Sequence, residues 1–497
     1  MNRASPIDAG RETRLCAEGD GASSGIPRWY ETLTRNRRHR GGWWPLLLLI
    51  AWAAIRLGGS VQVAGLVPRW LVSGVVLIVV ATRRRELIAG VALVASVVLG
   101  ANAWHAAPPA EVGQCDGVIR VIDDPVASAH VARTVVELRG KRYSANAYGR
   151  SGAALARVGA GESVVVSALC SALGTREVAY LRPRHVMGRM TINFVGDRHH
   201  AGSGLARSAR WVRKQVAFGA RTMGDNEQSL FSGLVIGDDA RQPRDMVDAF
   251  RASGLGHLCA VSGQNVAYVL VAFGFLLRRL RPIARLTVTV MVVGWFVVVT
   301  RVEPSVVRAG AMAIAAAWNF HRGQQRSASD VLAVSSLVAL FVDPMLAWSV
   351  GFLLSVSASL GLVTLSAPIS RIIPSRIATV LAPALAAQIA TAPVALSTFG
   401  QLPVIALAAN CVATPLAGVV MLVGLPMSML AALLPDVIAR LCMAPLEMLV
   451  RVVWWTATVA EKLSLHGRWN ACAWLMVVVC IALGARRRSA TQLWQPM

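Results

Sequence analysis

Apolar residues run along this chain in blocks close to the length of a bilayer crossing, separated by short polar or basic turns, and the pattern predicts a polytopic α-helical membrane protein. Three blocks come early, at about Trp43 to Ile55, Ala64 to Ala81 and Leu87 to Ala103. A second set occupies Leu258 to Leu277, Leu286 to Val299, Val306 to Phe320, Val331 to Val342, Leu346 to Leu365, Ile377 to Leu396, Val404 to Leu434, Leu446 to Ala460 and Cys472 to Leu483. Basic flanks at both ends, Arg35 to Arg40 and Arg486 to Arg488, place both termini in the cytoplasm and make the count even, about twelve spans. The block from Val404 to Leu434 is over-long and carries Asn410 and Pro415, so a re-entrant or broken helix is expected there.

Between about Ala107 and Asp197 the pattern changes to alternation with a period of two. The runs Gly117 to Ile122, Arg133 to Leu138, Arg142 to Ala145 and Ser163 to Ser167 read as strands, punctuated by Gly, Asp-Pro and Arg-Gly turns. They predict a β-barrel of about ninety residues inserted after the third span. Arg83-Arg84-Arg85 before that span and Arg278 to Arg281 after the Leu258 block both belong inside, which places the barrel outside the cytoplasmic membrane. Cys115 and Cys170 fall at the ends of strands in a compartment that permits oxidation, so a disulfide between them is expected, with two buried thiols as the alternative.

The segment Leu205 to Arg221 has helical amphipathy. Leu205, Ala209, Val212 and Val216 share one face, and Arg207, Arg210, Lys214 and Arg221 the other. Two readings follow: a helix lying in the membrane interface with its apolar face in lipid, or a basic face that guides phosphates.

Composition supports the membrane class. The 497 residues are 55% hydrophobic, too apolar for an ordinary soluble protein. The net charge of +24 comes from arginine, since Lys141, Lys214 and Lys462 are the only lysines. Part of that excess sets topology, and the remainder suits anionic lipid or nucleic acid. The 8 cysteines show neither CxxC nor metal-ligand spacing, no secretory signal pattern opens the chain, and no cofactor is expected.

Chemistry concentrates at Gly254 to Val266, where His257, Ser262, Gln264 and Asn265 form a polar mouth on the block that runs to Leu277. As one helix, Leu258 to Leu277 reaches ~30 Å at ~1.5 Å per residue, enough to span. Its polar turns either line a path for something polar or bond across helix interfaces. Arg301, Glu303 and Arg308 sit at the next helical hairpin: Arg308 pairs with Glu303, or it faces a pore and offers a forked donor to phosphate. Gln388 and Asn410 are weaker lining candidates. Asp238 and Asp239 are weak candidates for a divalent cation, with a turn and helix start as the structural alternative. No metal site is otherwise expected.

The segments Gly233-Leu234-Val235-Ile236-Gly237-Asp238, Phe250 to Leu258 leading into Val261-Ser262-Gly263, Pro304-Ser305-Val306-Val307-Arg308-Ala309, Asp343-Pro344, Gly351-Phe352-Leu353-Leu354-Ser355 and Leu407-Ala408-Ala409-Asn410 with Pro415 resemble the competence-associated DNA-uptake channels usually called ComEC. The resemblance covers about residues 230 to 480. It implies that the external β-domain is of the OB type, and that the chain is a channel moving single-stranded DNA inward across the cytoplasmic membrane. Two departures stand out. Gln264-Asn265 replaces the Leu-His that often follows Ser-Gly, and Leu353-Leu354 removes the glutamine of a GFQLS motif. Many members also carry a metallo-β-lactamase-like domain, but no HxHxDH motif occurs here, so no nuclease activity is assigned.

The expected organisation is a basic cytoplasmic tail (1–42), three transmembrane helices (43–106), the external OB-like domain (107–200), a basic amphipathic helix (201–229), the channel domain (230–485) and a cytoplasmic tail (486–497). In the β-domain, Arg120, Arg133, Lys141, Arg142 and Tyr143 form either a single-strand-binding face, continued by Arg207, Arg210 and Lys214, because phosphates need cations and unstacked bases need an aromatic platform, or a solvated basic surface, since aromatics are sparse there. No GxxxxGK[ST] occurs, so a separate cytoplasmic ATP-driven motor, an external DNA receptor and possibly a separate nuclease are the expected partners, beside membrane lipid. Two other functions compete. One is transport of another anionic or amphipathic solute on the same scaffold. The other is an intramembrane hydrolase using Ser262 with His257, which lacks the GxSxG elbow and the helical register.

Overall fold

The computed structural model describes residues 43–60, 85–105, 110–127, 131–200, 204–238, 241–259, 263–300, 304–323, 326–373, 375–400, 402–465 and most of 467–479. The expected span at Ala64 to Ala81, the end of Cys472 to Leu483 (480–483) and both tails lie outside the described residues.

Helices α1 (Trp44–Ser60) and α2 (Arg85–His105) run in the same direction. Their C-terminal ends meet, where the His105 ring lies 3.0 Å from the Gly59 carbonyl. The chain then builds strands β1 (Gly113–Gln114), β2 (Gly117–Val121), β3 (Val126–Ala127), β4 (Val131–Leu138) and β5 (Lys141–Tyr148). Helix α3 (Gly149–Leu155), strand β6 (Ser163–Ala172), helix α4 (Thr175–Leu181), a 3-10 turn at Arg182–Arg184 and strand β7 (Val186–His200) complete the domain. The five long strands pair in the ring β6-β2-β4-β5-β7, and β7 closes back onto β6. Only β5 and β7 pair in parallel. This ring, with a helix between its third and fourth strands, is the topology of an OB-type Greek-key barrel. Alternation produces it: Val164, Val166 and Ala168 of β6, Ala132 and Val136 of β4, and Tyr143, Ala145 and Ala147 of β5 all point inward. Leu155 of α3 plugs one end.

Cys115 and Cys170 are joined by a disulfide with Cα atoms 5.9 Å apart. Beside it, Asp116 accepts from Gln114 at 2.8 Å and from the Ala168 N–H at 3.2 Å. Hydrogen bonds from Ser167 first, then from Gln114, hold the Asp116 carboxyl below the usual carboxylate range. A lowered folded-state value stabilises the barrel fully above the unfolded-chain value near ~4, and the contribution fades as pH falls through the folded one. Asp116→Asn is therefore expected to speed amide exchange in 113–121 and 163–172 relative to wild type at pH ~7, with the difference vanishing at pH ~2. A difference that persists in acid would contradict this account.

The remaining helices are α5 (Gly204–Gly219), α6 (Asp225–Ile236), α7 (Arg244–Ala252), α8 (Gly256–Cys259), α9 (Gly263–Ala272), α10 (Gly274–Arg279), α11 (Pro282–Val299), α12 (Pro304–His321), α13 (Ala328–Val342), α14 (Val350–Ile372), α15 (Ser375–Phe399), α16 (Ile405–Ala431) and α17 (Asp436–Lys462). Among the described residues five helical segments are long and apolar enough to cross a membrane: Ile88–His105, Pro282–Val299, Val350–Ile372, Ala378–Phe399 and Ile405–Ala431. Trp44–Ser60 and Ala328–Val342 are apolar but shorter.

Two sequence expectations change places. Residues 260–262 of the expected span Leu258 to Leu277 lie outside the described residues, and its described remainder is divided at Phe273, between α9 and α10. Upstream of it the chain turns at a glycine. Gly254 takes φ +73°, and a side chain there would meet the Ala406 methyl at 2.6 Å. By contrast, α16 runs unbroken through Pro415 and Pro426 for 27 residues. It packs among α5, α6, α9 and α17, which can hold a proline-containing helix straight.

Candidate functional site

The barrel is bolted to the helices at several points. Arg182 donates to the Trp104 carbonyl and lies 4.9 Å over the Trp104 ring, which stacks on Trp348 at 4.8 Å. His185 meets Asp343 at 2.9 Å. The other Asp343 oxygen accepts from the Met345 N–H at 3.1 Å and caps the turn Pro344–Trp348. One carboxylate thus starts a turn and anchors the barrel, which gives the Asp343-Pro344 motif a physical role. Arg213, buried on α5, donates to the Val299 carbonyl at 3.0 Å and pairs with Asp124 of the barrel at 3.5 Å. Hence the C-terminal ends of α1, α2, α11 and α13 all lie at the barrel. Their opposite ends carry the arginines: Arg278, Arg279 and Arg281 precede α11, and Arg322 and Arg326 precede α13.

Helix α5 joins barrel and bundle, and its faces differ from the lipid-facing expectation. Ala209, Val212 and Val216 are buried in the same core cluster as Ala417 and Val420 of α16, so the apolar face rests on protein rather than lipid. Gly219 lies so close to α16 that a Cβ would sit 1.9 Å from the Ser428 carbonyl oxygen. Arg210 is committed to the barrel, paired with Glu162 and donating to the Ala160 carbonyl at 2.8 Å, and is therefore removed from the strand-binding candidates. Arg207 and Lys214 remain exposed, with Trp211 (54% exposed) and Phe218 (52%) on the same face at i, i+4, i+7 and i+11. The same helical period that gathers the cations gathers these aromatics.

On the barrel, Arg120 of β2 faces Glu137 of β4, which faces Arg142 of β5. Arg133 lies opposite Asn146. Lys141 is 4.0 Å from Glu111, which also pairs with Arg139. These side chains share the outer surface with a carboxylate among them, a mixed rather than uniformly basic face. Tyr143 is a correction. It is fully buried inside the barrel and its hydroxyl accepts from the Glu111 N–H at 3.2 Å, so it offers no stacking platform. Among the described residues, Tyr148, Tyr180 and Phe194 are the exposed aromatics of this domain.

The polar mouth divides into separate roles. His257 is exposed on α8 and hydrogen-bonds the Gly254 backbone. Residues 260–262, between it and Gln264, lie outside the described residues. Gln264 donates to the Tyr268 hydroxyl at 2.7 Å, and that hydroxyl occupies the space where Gly418 of α16 has no side chain. Asn265 is buried and donates to the Leu234 carbonyl of α6 at 3.1 Å, which is a helix-to-helix bond rather than a pore lining. Gln388 likewise donates to the Pro403 carbonyl at 3.2 Å and ties down the α15–α16 connection. Asn410 accepts from Thr414 at 3.2 Å, within its own helix. Ser262, Arg301, Glu303 and Asp239 lie outside the described residues. Asp238 follows Gly237, the left-handed C-cap of α6, and its N–H reaches the Ser232 carbonyl at 3.2 Å. Among the described residues no three His, Cys, Asp or Glu side chains group as metal ligands.

Arg308 is the outstanding charge of the helical module. It is 4% exposed, donates to Ser355 Oγ of α14 and to Met312 Sδ at 3.1 Å, and its buried Nε has no partner. Its Nη2 lies 3.3 Å from where a Cβ on Gly263 would stand. Three segments distant in the chain, around Gly263, Arg308 and Ser355, therefore meet at one point.

A family model described as Competence protein matches residues 234–489. "ComE operon protein 3" of Bacillus subtilis (strain 168) aligns over 209 residues at 25% identity, covering 41% of this chain and 26% of that protein. The match thus spans about a quarter of that relative's length. No solved structure matches.

Proposed function

The chain belongs to the Competence protein family, and on that footing we propose that it is an inner-membrane channel carrying single-stranded DNA into the cytoplasm during transformation. Arginines gather at the helix ends remote from the barrel, and the positive-inside rule assigns those ends to the cytoplasm and the barrel to the outer side. The shorter and more polar helices would bring the passes toward about twelve.

The observation that carries the reading is the exposed face of α5, where Arg207, Trp211, Lys214 and Phe218 alternate cation and aromatic along a helix joining the barrel to the bundle. A single strand presents phosphates and bases in the same alternation. Stacking on an aromatic contributes ~1–3 kcal/mol per base, and cations track the backbone. The barrel surface bearing Arg120, Arg133 and Arg142 with Tyr148 and Phe194 would make the first contact. A separate ATP-driven motor would pull the strand inward, an external receptor would deliver it, and a separate nuclease would remove its complement.

The test is uptake of labelled DNA in a deletion strain complemented with Arg207→Gln/Lys214→Gln or Trp211→Ala/Phe218→Ala. Both pairs should lower uptake by roughly tenfold or more, as the loss of two contacts of ~1 kcal/mol each implies. In the purified chain the Arg207→Gln/Lys214→Gln pair should also flatten the salt dependence of oligonucleotide binding by about 1.4, at ~0.7 per phosphate contact. Normal transformation in the deletion strain would sink the DNA reading. Flux of a small anion with indifference to DNA would favour the second reading, a transporter of another anionic solute, which the same cations allow.

A further inference from the structure

The helix ends remote from the barrel carry a surface that the DNA reading does not use. Over residues 273–290 and 316–326 the chain has six arginines and no carboxylate. The fold gathers both stretches. Arg285, near the start of α11, donates to the Leu277 carbonyl of α10 at 2.9 Å and lies 5.0 Å over the Phe320 ring at the end of α12. Arg279 lies 4.0 Å over Phe275, and Arg322 lies 4.8 Å over Trp318. Three arginines are thus laid on three aromatic rings where the ends of three helices meet.

The rings are open to the surroundings: Phe275 is 70% exposed, Phe320 62% and Trp318 45%. Leu276 and Ile283 are exposed beside them. Among the described residues none of the six arginines pairs with a carboxylate. The depth of this surface follows from α11, which is long and apolar enough to cross a membrane. Arg278, Arg279 and Arg281 stand immediately before its first turn. They are therefore held at headgroup level, with the exposed rings at the acyl boundary beside them.

Setting the direction of insertion needs only an excess of positive charge in a loop. It does not need arginines laid on exposed rings, nor like charges drawn together from two loops with no counter-charge among them. Such a gathering is repulsive until an anion completes it. An anion that carries apolar chains matches both the cations and the rings. A nucleic acid or an acidic peptide would meet the cations and leave Leu276 and Ile283 against water.

We propose that α10, the start of α11 and the end of α12 form a binding surface for an anionic phospholipid of the cytoplasmic leaflet. Arg278, Arg279, Arg281 and Arg322 offer forked donors to the headgroup phosphate. Phe275, Trp318 and Phe320 receive the upper acyl chains. Arg285, turned to backbone carbonyls, holds the three helix ends together. This surface is independent of what the channel carries.

The test places the full chain in nanodiscs of one phosphatidylcholine–phosphatidylglycerol composition, with brominated acyl chains on either the one lipid or the other. Bromine quenches tryptophan on contact, and subtraction of Trp318→Phe isolates the Trp318 signal. Quenching should be stronger with bromine on phosphatidylglycerol, by a local enrichment of roughly fivefold, the scale of one arginine's attraction to an anionic leaflet. Arg279→Gln/Arg322→Gln should remove most of the enrichment, and Arg279→Lys/Arg322→Lys, which keeps the charge, should retain it. Arg487→Gln/Arg488→Gln removes as much charge elsewhere and should leave it unchanged. Equal quenching by the two brominated lipids in wild type would overturn the surface. So would equal loss in the two glutamine pairs, which would mean a diffuse field. Release of the enrichment by a short oligothymidylate at constant ionic strength would also overturn it, since a nucleic acid would then hold these cations. The readout needs no DNA uptake, so failure of this surface and failure of the DNA reading are separable.

Discussion

Gly219→Leu is expected to lower the unfolding temperature of this protein by several degrees. A Cβ at that position would stand 1.9 Å from the Ser428 carbonyl oxygen and 2.7 Å from its carbon. Both are backbone atoms of α16, so neither can swing aside as a side-chain tip could. The helices must separate, and Val212, Val216 and Ala220, all buried in the shared core, lose contacts together. Overpacking of this kind costs about 1–3 kcal/mol when side chains can adapt, and the upper end or more is expected where backbone meets backbone. The strain also reaches the barrel, because the same helix holds Arg210 on Glu162 and Arg213 on Asp124. A scan of intrinsic fluorescence should show a midpoint several degrees lower. Gly204→Ala at the other end, where nothing lies within 4 Å, should leave it unmoved. An unchanged midpoint for Gly219→Leu would mean that α5 is not seated on α16 as described.

Cys115→Ser with Cys170→Ser is expected to loosen the barrel while leaving the helical module folded. The disulfide joins positions separated by 55 residues. Closing a loop of that size in the unfolded chain corresponds to ~4 kcal/mol in the chain-entropy picture. The bond also ties the short edge strand β1 to β6, where Gly113 pairs with Cys170 and the Cys115 N–H reaches the Ala168 carbonyl at 2.9 Å. Limited proteolysis should therefore cut the variant within 110–200 much faster than wild type, and a reducing agent should bring wild type to the variant's rate without affecting the variant. Equal rates for oxidised wild type and variant would contradict the assigned role.

The barrel was the most legible part of the chain, because a strand declares its inner face by a local rule. In β5, Tyr143, Ala145 and Ala147 alternate with polar residues, and that alternation already points Tyr143 inward. Its ring suits stacking by chemistry, but the strand period turns it away from any base. On α5 the helical period groups Arg207 and Lys214 on one exposed face, but it does not name the partner of the opposite face. Apolar residues at helical spacing satisfy lipid and protein equally well in sequence, and only the approach of α16 at Gly219 distinguishes them.

What the sequence determined by itself is whatever depends on neighbours along the chain: that apolar blocks form membrane helices, that a β-domain interrupts them, and that arginines cluster at particular helix ends. The tertiary structure decided which block is broken, which polar groups serve as links between helices, and that Gly263, Arg308 and Ser355 meet. The physical reason lies in the solvent. Within lipid, apolar side chains gain little by leaving hydrocarbon for another helix, so hydropathy sorts residues into the membrane without choosing their partners. Partners are chosen by close fit and by hydrogen bonds that have no other outlet, as between Asn265 and Leu234 or Arg308 and Ser355. Such choices join residues far apart in the chain, and no local pattern records them.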